Sequence, residues 1–584
     1  NSYLPDYSKF HKLNSSNSGR ISSDWGGLWV HTMHKLLPPE EYFNKHPEYY
    51  ALRNGVRIPD QLCLSNPEVA DIVTKNLKEY MIKIPNAKYW SVSQMDNFNY
   101  CQCDKCREID SIEGSPSGSI IRFVNKIAEN FPDKVISTLA YQYSRKAPKY
   151  TLPNDNVNIM LCTIEADRSK PIIDDKSENN FYDDLVDWSL LTDNILIWDY
   201  VVNFSHLLSP FPNFHVLQPN IKLFSNYATM IFEQGMPYKN IEFNELRTYL
   251  ISKLLWNPDE STDKLMDEFL NAYYGEASQY IRQYIDKITA ELLLSGEKLT
   301  LYEPPVTYSS NYLSMDNIRE YFVLLNKALD AVKTDEKKSK RVELLLQSLR
   351  YAYLEVSKNS PYTKDWIFEK DSLNKNFVLK KEATDILEKF YEISKENGPE
   401  LLSENETTPD EYYNKTKEYF KNALVPDNKA VGKKIRFEIP SSRLYKANGE
   451  TTLIDGVRGN EDFHSLWQGW WGDYINAYID LGEITEINEV EISFINNHFS
   501  WIFPPESIEI YASDDGKNYT VIGSLINREA LIKKKPQIET FKIDIKPVKL
   551  TRFVNVKIKN IGKLPDWKGL NERAWLMTDE IIIR

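Results

Sequence analysis

No stretch of this 584-residue chain approaches the roughly 18 consecutive apolar residues that a membrane-spanning helix needs, so no transmembrane segment is expected. Cations are in deficit too: 71 Lys and Arg against 84 Asp and Glu leave a net charge of −13. That is the wrong sign for neutralising phosphates, and it excludes nucleic acid as a partner. The chain also lacks a Walker loop, an H-E-x-x-H pair, a G-x-S-x-G elbow and a G-x-G-x-x-G placed between a strand and a helix. Phosphoryl transfer, zinc proteolysis and hydride transfer lose ground with them. Asn1-Ser2-Tyr3 offers neither an initiator Met nor a signal-peptide core. The start reads as processed or truncated, with any export signal removed from view, and an exported protein, at the cell surface or in the periplasm, is expected.

Cysteine is scarce, at five residues, and unevenly spread. Cys63, Cys101, Cys103 and Cys106 crowd into two segments, the last three as C-x-C-x-x-C, while Cys162 reads as a core residue. The crowding suits tetrahedral thiolate ligation of a structural Zn²⁺ at about 2.3 Å. One or two disulfides, or free thiols, are the alternatives, although three clustered Cys strain disulfide geometry. Four thiolates leave no open coordination position, so no catalytic cofactor is expected.

Aromatics are plentiful, at 13% with 36 Tyr and 13 Trp, which suits flat platforms that stack on sugar rings. The length calls for about three or four units. Short β-rich runs at Leu28 to Thr32, Trp90 to Asp96, Val135 to Tyr141, Val157 to Glu165, Ile195 to Tyr200 and Thr229 to Glu233 alternate with helical stretches such as Asn66 to Ile84 and Ser119 to Asn130. This is the rhythm of βα units. It predicts a TIM-like (β/α)-barrel over residues 1–260, with at least one early strand upstream of Asn1 or too irregular to recognise. Spaced apolar positions predict a helical domain over 261–428, including Asp263 to Tyr274, Ala277 to Leu294, Met315 to Val332 and Lys337 to Ser357. Short alternating runs, among them Ala477 to Leu481, Val490 to Ile495 and Phe553 to Ile558, predict a β-sandwich of jelly-roll type over 429–584. The expected fold is therefore multidomain, α/β then α then β.

Four acids follow apolar strands: Asp96, Glu165, Asp199 and Glu233. A carboxylate gains nothing from burial, so several at strand tips point to a hydrolytic centre, with one donating a proton to a glycosidic oxygen. The bland alternatives are a turn cap for Asp96 and ion pairs with Arg145 or Arg168 for the others. Gln94 and Asn97 flank Asp96, and an amide there suits an N-acetyl group; His31, Tyr141, Trp198 and Tyr200 also end strands and are candidate pocket residues.

His46-Pro47-Glu48-Tyr49-Tyr50-Ala51-Leu52, Gln61-Leu62-Cys63, Ser91-Val92-Ser93-Gln94-Met95-Asp96-Asn97, Trp198-Asp199-Tyr200, Phe232-Glu233-Gln234-Gly235 and Leu254-Leu255-Trp256-Asn257-Pro258 resemble glycoside hydrolase family 163. The resemblance implies an endo-β-N-acetylglucosaminidase of gut bacteria that cuts the chitobiose core of complex N-glycans on host glycoproteins. The cysteine pattern also resembles family 42 β-galactosidases, whose similar arrangement binds zinc and whose acid/base position falls at Asp96, although Met95-Asp96 stands here for Asn-Glu. The tail, with Trp467-Gln468-Gly469-Trp470-Trp471, Tyr511-Ala512-Ser513-Asp514-Asp515-Gly516 and Asp579-Glu580-Ile581, resembles discoidin-like, coagulation factor 5/8 type C modules grouped with family 32 carbohydrate-binding modules. Asp455 and Glu580 would suit Ca²⁺ there, and His498, Trp501, Trp567 and Arg573 a glycan. The competing readings are a silent glycan-binding protein on a barrel scaffold and an exo-acting glycosidase.

Overall fold

The computed structural model describes residue 10 and residues 24–370, 377–568 and 572–584; the Asn1 end lies outside them. The chain forms two compact units, one running to Val356 and including Ile386–Pro409, the other comprising Ser357–Asp385 and Asp410–Arg584.

After the short helices Met33–Leu36 and Pro39–Tyr42, the first unit carries a hairpin of β1 (Tyr50–Arg53) and β2 (Val56–Leu62). Its two-residue turn, Asn54-Gly55, takes φ of 49° and 82°, the pair of left-handed residues that matches strand twist. A parallel sheet follows, in the order β3 (Tyr89–Ser91), β4 (Val135–Ala140), β5 (Val157–Cys162), β6 (Ile195–Tyr200) and β7 (Met230–Gln234). β5 and β6 are buried at every position, so they read as continuous apolar runs. Between strands lie helices such as Pro67–Lys83, started by the Asn66 side chain accepting from Glu68 N at 3.0 Å, and Ser117–Ala128.

Two expected strands come out differently. Leu28 to Thr32 is irregular; the pairing with β3 falls just before it, through Lys88 N to Asp24 O (2.7 Å), Gly26 N to Tyr89 O (3.1 Å) and Ser91 N to Leu28 O (3.1 Å). The run from Trp90 to Asp96 leaves the sheet after Val92, whose N still donates to Ser137 O (2.8 Å), because Ser93 N and Met95 N bond the side chains of Thr32 and Gln61 instead. The sheet curls so that Trp29, beyond the β3 edge, sets its ring 5.4 Å from Trp198 and 5.7 Å from Phe232 on β6 and β7. Among the described residues it is a curled half-barrel, not a closed eight-stranded barrel.

The expected helices stand at Thr262–Tyr274, Ser278–Ser295, Met315–Ala331 and Glu336–Lys358. No break between units falls at 260/261. Loops of the helical stretch bond those of the sheet, with Arg168 N donating to Leu299 O (2.9 Å) and Phe204 N to Leu301 O (2.8 Å), and Phe243 stacks on Tyr284.

The second unit carries a small hairpin, β8 (Phe368–Lys370) with β9 (Phe377–Leu379), and an antiparallel β-sandwich. The sandwich is built of β10 (Lys434–Phe437), β11 (Gln468–Trp471), β12 (Ile475–Asn496), β13 (Ser507–Ser513), β14 (Thr520–Ile526), β15 (Gln537–Lys559) and β16 (Trp575–Ile583). β12 pairs with β10, β15 and β16, and its register with β15 breaks between Asp480 and Thr485 and between Ile487 and Glu489. Such irregularities let a long strand bend and serve both layers. Ile479, Ile492, Phe494, Ile510, Val556 and Ile581 lie in its core.

Candidate functional site

Strand parity decides what each tip residue can do. Ile195, Ile197, Ile159 and Leu161 belong to the core formed with Leu185, Trp188 and Phe224 of the helices. Alternate residues therefore face the concave side: Tyr141, Cys162, Trp198, Tyr200, Phe232 and Gln234. Trp198 donates from Nε1 to Gln234 Oε1 (2.7 Å) and packs against Phe232, while Tyr200 stacks on Trp198 at 6.2 Å and meets Phe204 at 6.0 Å. These rings line a mouth at the C-terminal ends of the strands, where half-barrel and barrel sites form.

Asp96 stands at that mouth, exposed, accepting from Tyr141 Oη (3.1 Å) and, at 3.5 Å, from Gln142 Nε2, which also donates to Tyr141 Oη (3.0 Å). Burial first, and then the charge of Asp96, pushes the Tyr141 hydroxyl up, so Tyr141 stays a donor. His31 Nδ1 lies 2.7 Å from Gln94 O, and its ring is 6.0 Å from Tyr141. Both His31 and Gln142 hold a positive φ, 52° and 50°, the kind of backbone strain that surrounding contacts must enforce. Gln94 is buried and donates to Ser144 Oγ (2.8 Å), leaving Oε1 without a partner. Asn97 does not serve the pocket as expected: its amide is committed to Gln61, Asn99 and Asp60, because β2 needs it to hold the loop.

Glu165 is exposed on the same side and pairs with Arg145 at 3.0 Å, which in turn binds Asp184 at 2.6 Å. Its charge and that of Asp96 both act on Cys162 and Tyr302. Asp199 and Glu233 go elsewhere, which corrects the expectation that four acids share one rim. They follow Ile197 and Ile231 by two residues, pair in register across β6 and β7, and so project to the helix-covered side. Asp199 accepts from Thr163 Oγ1 (2.5 Å) and Tyr200 N (2.9 Å), with Arg168 Nη2 at 3.9 Å. Burial raises its carboxyl against the pull of Arg168. Burial and then the adjacent Asp199 charge push Glu233 well above the ordinary carboxylate range, and neither of its oxygens meets a donor. Arg168, buried, donates to the carbonyls of Thr163, Ile164, Ala166 and Tyr200, moulding the turn that carries Glu165.

Two mouth residues carry no local signal in the sequence. Tyr302, with its hydroxyl pushed up to about 12 by burial and then by Glu404 and Asp96, comes from the helical stretch. Glu404, held by its N–H on Phe204 O (2.8 Å), is raised by burial and by the Asp96 charge.

The four clustered cysteines meet: their Sγ atoms all lie within 4.8 Å of one another. In the sandwich, Glu580 Oε1 accepts from Asn428 Nδ2 (2.6 Å) and Gly456 N (2.8 Å), while its enclosed Oε2 has no partner. Asp455 acts on it electrostatically, and burial brings Asp455 itself up to about 7. The four expected glycan residues differ in exposure. His498 is buried with its ring 5.6 Å from that of Trp567, and Trp501 packs on Phe503, Leu564 and Ala574, whereas Trp567 and Arg573 are exposed, as is Phe499, at 74%.

Comparison with known proteins places these features. No curated protein matches the chain. Among solved structures, the chain is similar to CpGH89CBM32-6 of Clostridium perfringens (21% identity over 27% of this chain and 98% of that one, TM-score 0.17). It is likewise similar to chitosan-binding module 1 of a chitosanase/glucanase from Paenibacillus sp. IK-5 (16%, 27% and 98%, TM-score 0.18). A third is CpGH89CBM32-4 of Clostridium perfringens in complex with GlcNAc-α-1,4-galactose (18%, 27% and 92%, TM-score 0.18). Residues 1–286 match the family described as Domain of unknown function (DUF4838), and residues 436–574 match the F5/8 type C domain, so the C-terminal sandwich is a discoidin-like module of that type.

Proposed function

We propose that the first unit is a glycoside hydrolase acting at its concave mouth, specifically an endo-β-N-acetylglucosaminidase on the chitobiose core of complex N-glycans. The observation that carries the reading is Asp96: an exposed carboxylate oriented by Tyr141 and Gln142, on an aromatic-lined face, with the charges of Glu165 and Glu404 acting on the same Tyr302. Hydrolysis of a glycoside needs one carboxyl to protonate the leaving oxygen and a second group, carboxylate or substrate acetamide, on the other side of the ring. Burial and then the Asp96 charge raise the Glu404 carboxyl above its ordinary value, which makes it a further candidate for the proton-donating role beside Asp96 and Glu165. Incubating the full chain with a complex-type N-glycoprotein and weighing the products tests this. Released oligosaccharide ending in one N-acetylglucosamine supports it, single sugars mark an exo enzyme, and an unchanged glycoprotein sinks it.

A second, compatible reading belongs to the discoidin-like module. Phe499 is 74% exposed and Trp567, packed against His498 and Phe503, still exposes 41% of its surface, so both rings can stack on the apolar face of a sugar. Trp567→Ala and Phe499→Ala are each expected to weaken glycan binding by about tenfold or more, as loss of an aromatic anchor does. Calorimetric titration with the unmodified thermal midpoint as control reads this, and unchanged affinity in both variants removes the surface.

The same module suits Ca²⁺ as a structural ion. The unpartnered Glu580 Oε2 and the neighbouring Asp455 crowd two carboxyls without a compensating charge, and the ion would supply one. Calcium at about 100 times its dissociation constant is expected to add about 2.7 kcal/mol to stability. Differential scanning calorimetry with and without chelator checks it, and Glu580→Gln should abolish the calcium-dependent shift.

A further inference from the structure

We infer that the discoidin-like module takes an anionic saccharide, one bearing a carboxylate or a sulfate, and that Lys533 and Lys568 hold the charged group beside the ring of Trp567. The inference rests on the reading of this surface as a glycan site and adds to it the class of glycan.

The charge is concentrated locally. In a chain of net charge −13, the segment from Arg528 to Lys535, between β14 and β15, holds four cations and one acid. Acids of the neighbourhood are already taken: Lys534 binds Glu529 at 2.9 Å and Glu539 at 3.3 Å, and Lys559 binds Glu506 at 2.9 Å. Among the described residues, no carboxylate pairs with Lys533 or Lys568.

Tertiary contacts bring the two lysines to one place. Trp567 donates from Nε1 to Leu531 O (3.0 Å), which ties the Lys533 loop to the short helical turn Asp566–Lys568. Lys568 is half-buried, with Nζ 5.9 Å from the centre of the Trp567 ring, within reach of cation–π attraction. His498, 2% exposed, meets the same ring edge-on at 5.6 Å. Burial and then the charges of Lys568 and Lys533 depress its imidazole, so it stays neutral and leaves the two ammonium groups as the only charges it adjoins. Burial and then Lys533 also lower Lys568.

Two ammonium groups that crowd each other without a counter-charge raise the free energy of the folded module, and the half-buried one loses hydration as well. An anion reverses both effects through charge-assisted hydrogen bonds, which are roughly twice as strong as neutral ones. Next to it the exposed part of Trp567 offers a ring face, and the Phe499 ring lies 5.7 Å from that of His498. The enclosed Nδ1 of His498 meets no partner; such buried orphans are few and mark places that a ligand or ion completes. Trp567 and Lys568, both held by their neighbours, set one ring face and one cation at a fixed spacing. That suits a single charged sugar ring rather than a fluid layer of lipid headgroups.

The test uses the full chain. An array of oligosaccharides, each present in neutral, carboxylate-bearing and sulfated forms on one backbone, is probed first, and the best matched pair is titrated calorimetrically. The charged form is expected to bind about tenfold or more tightly than its neutral counterpart, the scale of a hydrogen bond to a charged group, and the two acidic arms tell carboxylate from sulfate. Lys533→Ala and Lys568→Ala should each remove most of that preference and leave the affinity for the neutral form unchanged. Because the two lysines repel each other, neither substitution should lower the thermal midpoint; a lowered midpoint with lost binding would mean that they serve the fold, and counts against the site. Equal affinity for charged and neutral forms, or an undiminished preference in both lysine variants, overturns the inference and leaves the glycan reading standing. Binding to no oligosaccharide overturns both. Binding to vesicles of phosphatidylcholine and phosphatidylserine, with no oligosaccharide bound, overturns it in favour of a lipid surface.

Discussion

Asp96→Asn is expected to lower the release of oligosaccharide from a complex-type N-glycoprotein by about 10²- to 10⁴-fold, the range a positioned proton-transfer group contributes. The substitution keeps the shape and an oxygen that accepts from Tyr141 Oη, while removing the charge and the exchangeable carboxyl proton. Because Asp96 is exposed, unfolding should shift by no more than about 0.5 kcal/mol. Glu165→Gln should act in the same direction, and its loss of the Arg145 pair, 42% exposed on the acid side, costs little stability. Turnover is read from initial rates of product formation, and fold from the thermal midpoint of the same samples. Full activity in both variants would falsify this assignment of the mouth and leave Glu404 as the remaining proton donor there.

The largest stability effect is expected from Asp199→Ala, at about 3 to 5 kcal/mol, because it leaves the buried Arg168 guanidinium without its carboxylate. Chemical denaturation of the first unit's transition measures it. Glu233→Gln behaves differently, and its sign follows from the raised carboxyl pKa. The folded state holds that proton more tightly than the unfolded chain does. Its contribution is therefore fully present below the unfolded value of about 4.3 and is lost as pH rises through the folded value. Glu233→Gln, neutral at every pH, should match the wild type near pH 4 and become the more stable of the two as pH rises. A pH-independent difference would mean that burial and the Asp199 charge do not raise the Glu233 carboxyl in the folded state. Initial rates measured on Asp199→Ala and Glu233→Gln separate a buried polar pair from a reacting one, since neither variant should mimic the kinetic signature of Asp96→Asn.

The reading of β6 as Ile195 to Tyr200 coincides with the observed strand, because a parallel strand covered on both faces is apolar at every position. Helix Pro67–Lys83 was similarly plain, since Asn66-Pro67 is both cap and N1 signal. β12 reads along the sequence as two pieces, Ala477 to Leu481 and Val490 to Ile495, because its bends interrupt the alternation that marks a strand. Asn54-Gly55 is the local mark of the turn between β1 and β2, but the short strands on either side carry no clear alternation. In the site, the two-residue period of Ile195, Ile197 and Asp199 sets Asp199 on the face opposite Trp198, whereas position at a strand tip alone does not distinguish the two faces.

Strand and helix periods, the Cys spacing and the acids at strand tips depend on neighbours a few residues away, and so they can be read along the chain. Which acids reach the open mouth depends on sheet curl and on contacts between residues far apart. Trp29 against Trp198, Glu404 on the Phe204 carbonyl and Gln61 gripping the Asp96 loop join segments separated by tens to hundreds of positions. Their encounter comes from closing long loops around a shared core, a free energy that no local window of sequence contains.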